Sequence, residues 1–154
     1  MNGVSKLTVT DDIALITINK APANASLLAK ILTQFAEEEI NIDMISHAAP
    51  QGEYTSLSFS IPGADLVKAL SITAKISETM PTIKPLVSSS NCQLQLFGTE
   101  METTPGVAAR AMRAISAANV DITIITTSAV DISILVSDAD KEDALVALKA
   151  EFLI

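Results

Sequence analysis

The chain of 154 residues repeats itself, and a repeat constrains a fold strongly, because both copies must bury the same apolar positions. Leu27-Leu28-Ala29-Lys30-Ile31-Leu32 aligns with Val107-Ala108-Ala109-Arg110-Ala111-Met112, 80 positions later. At that offset Phe35 meets Ile115, Ile40 meets Val120, Asn41 meets Asp121, and Met44-Ile45-Ser46 meets Ile124-Ile125-Thr126. The offset then falls to 75, pairing Leu57-Ser58-Phe59 with Ile132-Ser133-Ile134, Ala64-Asp65 with Ala139-Asp140, and Ala69-Leu70 with Ala144-Leu145. The length change falls between Ala48 and Tyr54, where Pro50-Gln51-Gly52 predicts a hairpin turn. Loops tolerate such changes and packed elements do not.

Both copies spell the same order of elements. An apolar strand comes first, over 13–18 and again over 92–97. Cys92, Leu94 and Leu96 alternate there with Gln93 and Gln95, which predicts a sheet with one wet face. A helix follows, with Leu27, Leu28, Ile31, Leu32 and Phe35 on one stripe, and Val107, Ala108, Ala111, Met112 and Ile115 on its counterpart. Asn24 and Thr104 stand where N-caps belong, and Pro105 suits a first helical position. Hairpins are predicted over 41–48 with 54–61 and over 121–128 with 130–136, then second helices over about 65–79 and 140–152. This is the α+β class: two ferredoxin-like βαββαβ domains, each an antiparallel sheet with its helices on one face.

The strand count adds a topological expectation. After its second helix the first copy has a candidate fourth strand over 82–87, with Pro85 pointing to an edge. The second copy reaches Ile154 without one. A spare strand-like stretch over 4–10, ahead of a turn expected at Asp11-Asp12, can complete the second sheet. The expected first domain is then 11–88, inserted in a second domain made of 1–10 plus 89–154.

Composition narrows the chemistry. Ten Lys plus Arg against 18 Asp plus Glu give a net charge of −8, with no basic cluster, so nucleic acid is not an expected partner. No apolar run reaches the roughly 18 residues of a membrane span, and no signal-peptide core follows Met1-Asn2-Gly3. A single cysteine, Cys92, excludes a disulfide framework and a cysteine-built zinc site, and a single histidine, His47, leaves little for a metal or a Ser-His triad. No nucleophile–base pair, paired acids or phosphate-cradling loop emerges, so no catalytic residue, metal or cofactor is expected. Cys92 reads as a small core residue, Glu37-Glu38-Glu39 as a solvated helix end, and Met44, Met101 and Met112 as packing. Arg110 and Arg113 read as surface partners of Glu100 and Glu102.

The second copy resembles the ACT domain of aspartate kinases, in their C-terminal regulatory region. The residues that carry the resemblance are Gly98-Thr99-Glu100-Met101, Thr104-Pro105-Gly106-Val107-Ala108-Ala109-Arg110, Ala118-Asn119-Val120-Asp121-Ile122, Ile125-Thr126-Thr127-Ser128 and Ile132-Ser133-Ile134-Leu135-Val136. In the first copy Asn41-Ile42-Asp43-Met44-Ile45 and Ser58-Phe59-Ser60-Ile61-Pro62 are similar to the matching segments. The resemblance covers nearly the whole chain. It implies a tandem ACT pair with one domain inside the other, without the amino-acid kinase domain that precedes it in the family and is roughly twice this length.

The resemblance also implies a function: feedback control of amino-acid biosynthesis by a small effector, lysine or threonine, bound where ACT domains meet. It implies a cytoplasmic homodimer, or a subunit that docks on a kinase catalytic chain. Helix N-termini offer N–H groups to a ligand carboxylate, and polar groups on the neighbouring strand read the rest. The implied ligand-binding residues are Met101, Thr104, Pro105, Gly106, Val107, Thr126, Thr127 and Ser128 in the second copy. Their counterparts in the first are Asn24, Ala25, Ser26, Leu27, Ser46 and His47. There the loop departs from the family: Ala23, Ala25 and Ser26 replace its Asp and Pro-Gly, while His47 stands where a glutamine often contacts effector. The alternative expectation is a dimerisation or interaction module of the same fold that binds no ligand.

Overall fold

Two strands run much longer than the sequence predicts. In the computed structural model, which describes residues 2–154, β1 is Lys6–Pro22 and β4 is Lys84–Phe97, each joining two predicted strands into one. The turn expected at Asp11-Asp12 does not form. Asp12 takes a left-handed φ of 57°, and Ser90 does the same in β4 with φ 60°. One residue out of the extended region kinks a strand without reversing it. The chain divides at these two places: residues through Asp11 form one compact unit with Asn91–Ile154, and Asp12–Ser90 form the other.

In the unit Asp12–Ser90, β1 pairs antiparallel with β3 (Tyr54–Pro62), from Ile13 opposite Pro62 to Ile18 opposite Leu57. β2 (Ile45–His47) pairs along the other side of β3, with Ser46 opposite Ser58. The predicted strand over 41–48 shortens to three residues at an irregularity beside Ser60: Met44 N–H turns to Ser60 Oγ at 2.9 Å, while Asp43 N–H takes Ser60 O at 3.1 Å. The turn at Pro50-Gln51-Gly52 forms as expected, closed by Gln51 N–H to Tyr54 O at 2.9 Å. Helices α1 (Ala25–Glu37) and α2 (Leu66–Thr79) bury Ile31, Phe35, Ile72 and Ile76 against Ile16, Ile18, Phe59 and Ile61. Phe35 and Phe59 meet edge to face, centroids 4.9 Å apart.

In the other unit, β4 pairs with β6 (Asp131–Ser137), from Asn91 opposite Ser137 to Phe97 opposite Asp131, and β5 (Ile124–Thr127) flanks β6. The start of the chain joins this unit, Ser5 N–H donating to Phe97 O at 2.8 Å. Helices α3 (Val107–Ala117) and α4 (Lys141–Phe152) close over Leu94, Leu96, Ile115, Ile134 and Leu148. The repeat reaches the backbone. Glu39 (φ 58°) and Asn119 (φ 57°) are both left-handed, and each first helix ends with the next residue's N–H reaching back, Ile40 to Phe35 O and Val120 to Ile115 O.

Two side chains differ from expectation. Gln93 is buried, not wet, and its Nε2 donates to Ser133 Oγ at 3.3 Å. Met112, expected in packing, is 42% exposed. No helix is long and apolar enough to cross a membrane among the described residues.

Candidate functional site

The start of α3 decides the site's geometry, and the sequence places it two residues early. Thr104 makes no capping hydrogen bond and Pro105 lies in the turn before the helix; the N-cap is Gly106, in a left-handed conformation with φ 86°. Proline fixes its own φ, and the chain then needs a left-handed residue to enter the helix, which glycine supplies without strain. Asn24 does cap α1, its Oδ1 accepting from Ser26 N–H at 2.9 Å.

Beside the α3 start lies an open cleft of about 500 Å³, within the unit that holds the second copy. Met101, Glu102 and Thr104 form one wall, Val107 and Ala108 the helix wall, and Thr127, Ser128, Ala129 and Ile132 the hairpin wall. Five expected residues therefore meet here: Met101, Thr104, Val107, Thr127 and Ser128. Three do not line the cleft. Pro105 and Gly106 face solvent in the turn, and Thr126 lies opposite Ser133 in the ladder. The sequence reading missed Glu102, Ala108, Ala129 and Ile132. Ala108 neighbours Val107 on the helix start, whereas proximity in sequence pairs Glu102 with an arginine.

The structure corrects that pairing. Arg110 pairs with Glu151, Nε to Oε1 at 2.8 Å, rather than with Glu100 or Glu102, because its position on α3 faces the end of α4. Its guanidinium also stacks 4.8 Å from the Phe152 ring centroid. Glu102 is thereby left to the cleft. In the hairpin wall, Ser128 Oγ accepts from the N–H groups of Val130 and Asp131, both at 3.2 Å.

In the other unit the counterparts do not come together in one cavity. Ser26 lies in a groove along α1 with Ala29, Lys30, Thr33, Gln34 and Glu37. Asn24 and Ala25 are exposed and Leu27 is half-buried at the helix start. Ser46 is half-buried, and His47 is exposed on the short β2, opposite Leu57. No group of residues suited to a metal ion is present among the described residues. Cys92 is fully buried, and desolvation pushes its thiol from 9.0 up to about 11, an inert state. Nearby, Lys141 and Asp11 pair at 2.7 Å, the hydrogen bond holding Asp11 below and Lys141 above their ordinary values.

Residues 94–152 match the family described as the ACT domain. The aspartokinase of Corynebacterium glutamicum is 30% identical over 154 residues, a match that spans 99% of this chain and 36% of that protein. Aspartate kinase from Synechocystis superposes with a TM-score of 0.90 at 27% identity, over 98% of this chain and 27% of that one. The ligand-free regulatory subunit of aspartate kinase from Thermus thermophilus shares the fold over nearly its full length, with a TM-score of 0.88, 23% identity, and 97% and 99% of the two chains covered. The chain thus spans about a third of the length of the curated relatives it matches.

Proposed function

We propose, for a chain that is an ACT-domain regulatory region of the aspartokinase type, the role of an amino-acid sensor acting at the cleft beside α3. The observation that carries this reading is the convergence of a helix N-terminus, a carboxylate and three hydroxyl side chains on one open cleft. The positive end of α3 suits the ligand's α-carboxylate, and Glu102 suits its ammonium. Thr104, Thr127 and Ser128 can read a polar side chain, over the apolar surface of Met101, Val107 and Ile132. Lysine and threonine are the effectors this reading favours. An ACT surface of a second copy would cover the open side, so the working form is a homodimer or a regulatory subunit on a kinase catalytic chain, in the cytoplasm. Effector binding then shifts an equilibrium between arrangements of the assembly by its difference in affinity for them.

The test is thermal unfolding against a panel of the twenty amino acids. A ligand at 100 times its Kd adds about 2.7 kcal/mol, a shift of several degrees. Ala108→Trp fills the cleft from an exposed helix position and is expected to abolish that shift while leaving the unliganded transition in place. A ligand shift that survives in this variant would remove the cleft from the reading.

A second reading has support in the other unit, where Asn24, Ser26 and His47 share no cavity. There the fold serves assembly rather than sensing. A flat amino-acid panel together with a stable dimer in sedimentation would favour it for the whole chain.

A further inference from the structure

The loop and helix that wall the cleft are fastened to the first residues of the chain. Gly98 and Gly3 approach so closely that a Cβ on Gly98 would lie 1.9 Å from the Gly3 carbonyl oxygen. A Cβ on Gly3, whose φ is 83°, would lie 2.6 Å from Cγ2 of Val107, a residue of the cleft wall. Gly3 N–H donates to Glu100 Oε2 at 3.4 Å, and Ser5 N–H to Phe97 O at 2.8 Å. Residues 2–5 thus brace the segment 97–107 at both ends.

One side chain holds this brace in place. Arg110 donates from Nη1 to Asn2 O at 3.0 Å and from Nη2 to Asn2 Oδ1 at 3.3 Å. The same guanidinium reaches Glu151 Oε1 from Nε at 2.8 Å and Glu151 O from Nη2 at 3.2 Å. Asn2 Nδ2 closes the circuit by donating to Phe152 O. A planar fork of five donors can serve acceptors on two segments at once, and an ammonium cannot reproduce that geometry.

We propose that Arg110 is a positioning residue for the cleft: by clamping Asn2 to the end of α4 it presses Gly3 against Val107 and sets the wall formed by Gly98–Ala108. The role in ligand binding rests on the sensor reading above; the clamp itself does not. Ligand affinity then depends on a residue that lines no part of the cleft.

Amide hydrogen exchange on the full chain without ligand tests the clamp directly. In Arg110→Ala the hydrogen-bonded amides of the brace and its loop, those of Ser5, Met101 and Thr103, are expected to exchange about ten-fold faster or more, since charged hydrogen bonds are lost. Those of β6 and the Thr127–Asp131 hairpin should stay unchanged. Arg110→Lys should recover only part of the protection. Equal acceleration throughout the unit would make Arg110 a general stabiliser and overturn the proposal, as would no acceleration at all. If Arg110→Ala fails to fold, Gly3→Ala, which pushes Val107 directly, carries the same local expectation and the same overturning results.

Titration with lysine and threonine forms the second arm. Where the parent binds either one, Arg110→Ala should weaken it about ten-fold, and unchanged affinity overturns the link between clamp and cleft. Where the parent binds neither, the sensor reading fails on those ligands while the exchange arm still decides the clamp.

Discussion

At the scale of single residues, the two glycines flanking the cleft loop are there for different reasons and should respond differently. Gly106 has open space where a Cβ would go, so Gly106→Ala costs only left-handed backbone strain, roughly 1–2 kcal/mol. Gly98→Ala drives a Cβ into the Gly3 carbonyl and is expected to cost more, roughly 2–3 kcal/mol, measured by denaturant unfolding of both variants. Cys92 gives a pH signature. Its native thiol titrates near 11, above an ordinary 9.0, so the unfolded chain releases this proton first as pH rises. Its contribution is intact below pH 9 and is lost between pH 9 and 11, by up to roughly 3 kcal/mol. Cys92→Ala should flatten that part of the stability profile, and native protein at pH 8 should resist thiol reagents that label it once unfolded. The burial of Cys92 was legible from its place in an alternating apolar strand. The partner of Arg110 was not, because charge and proximity in sequence point to Glu100 and Glu102, while Glu151 comes near only once α3 and α4 pack.

At the scale of elements, α1 and α3 are repeats whose starts diverge. Asn24→Ala removes a real cap and should destabilise its unit by about 1 kcal/mol. Thr104→Ala removes none, so it should leave stability nearly unchanged while weakening any ligand that the cleft holds. Equal destabilisation by the two would contradict the assignment of Gly106 as cap. The shared helix ends were readable as a repeat, since Ile40 and Val120 occupy matched positions. The strand ends were less so. Asp11-Asp12 has the composition of a turn, yet the strand runs on through it with one left-handed residue, Asp12. Composition records what a residue tolerates, and the rest of the fold decides which tolerated conformation it takes.

At the scale of the whole molecule, the proposed sensor role sets the two units apart. An amino acid that fills the cleft beside α3 should raise exchange protection in Asn91–Ile154 and leave the Asp12–Ser90 unit at its unliganded rates. Protection spread evenly over both units would argue that ligand binding acts first on assembly. By itself, the sequence determined the repeat, the α+β class, the order of elements and the core stripes. These follow from periodicity and local turn chemistry, and both copies report them independently. It also narrowed the function by its poverty in catalytic residue types and by its resemblance to ACT domains. The tertiary structure alone decided that Met101, Thr104, Val107, Thr127 and Ser128 share a cleft with Glu102 while Pro105, Gly106 and Thr126 stand outside it. It also decided that the first residues of the chain brace that cleft through Arg110. The physical reason is common to both. Periodicity specifies which face of an element is buried, but which side chains meet depends on where helices begin and how closely backbones approach. Those distances are set by packing between segments far apart in the chain.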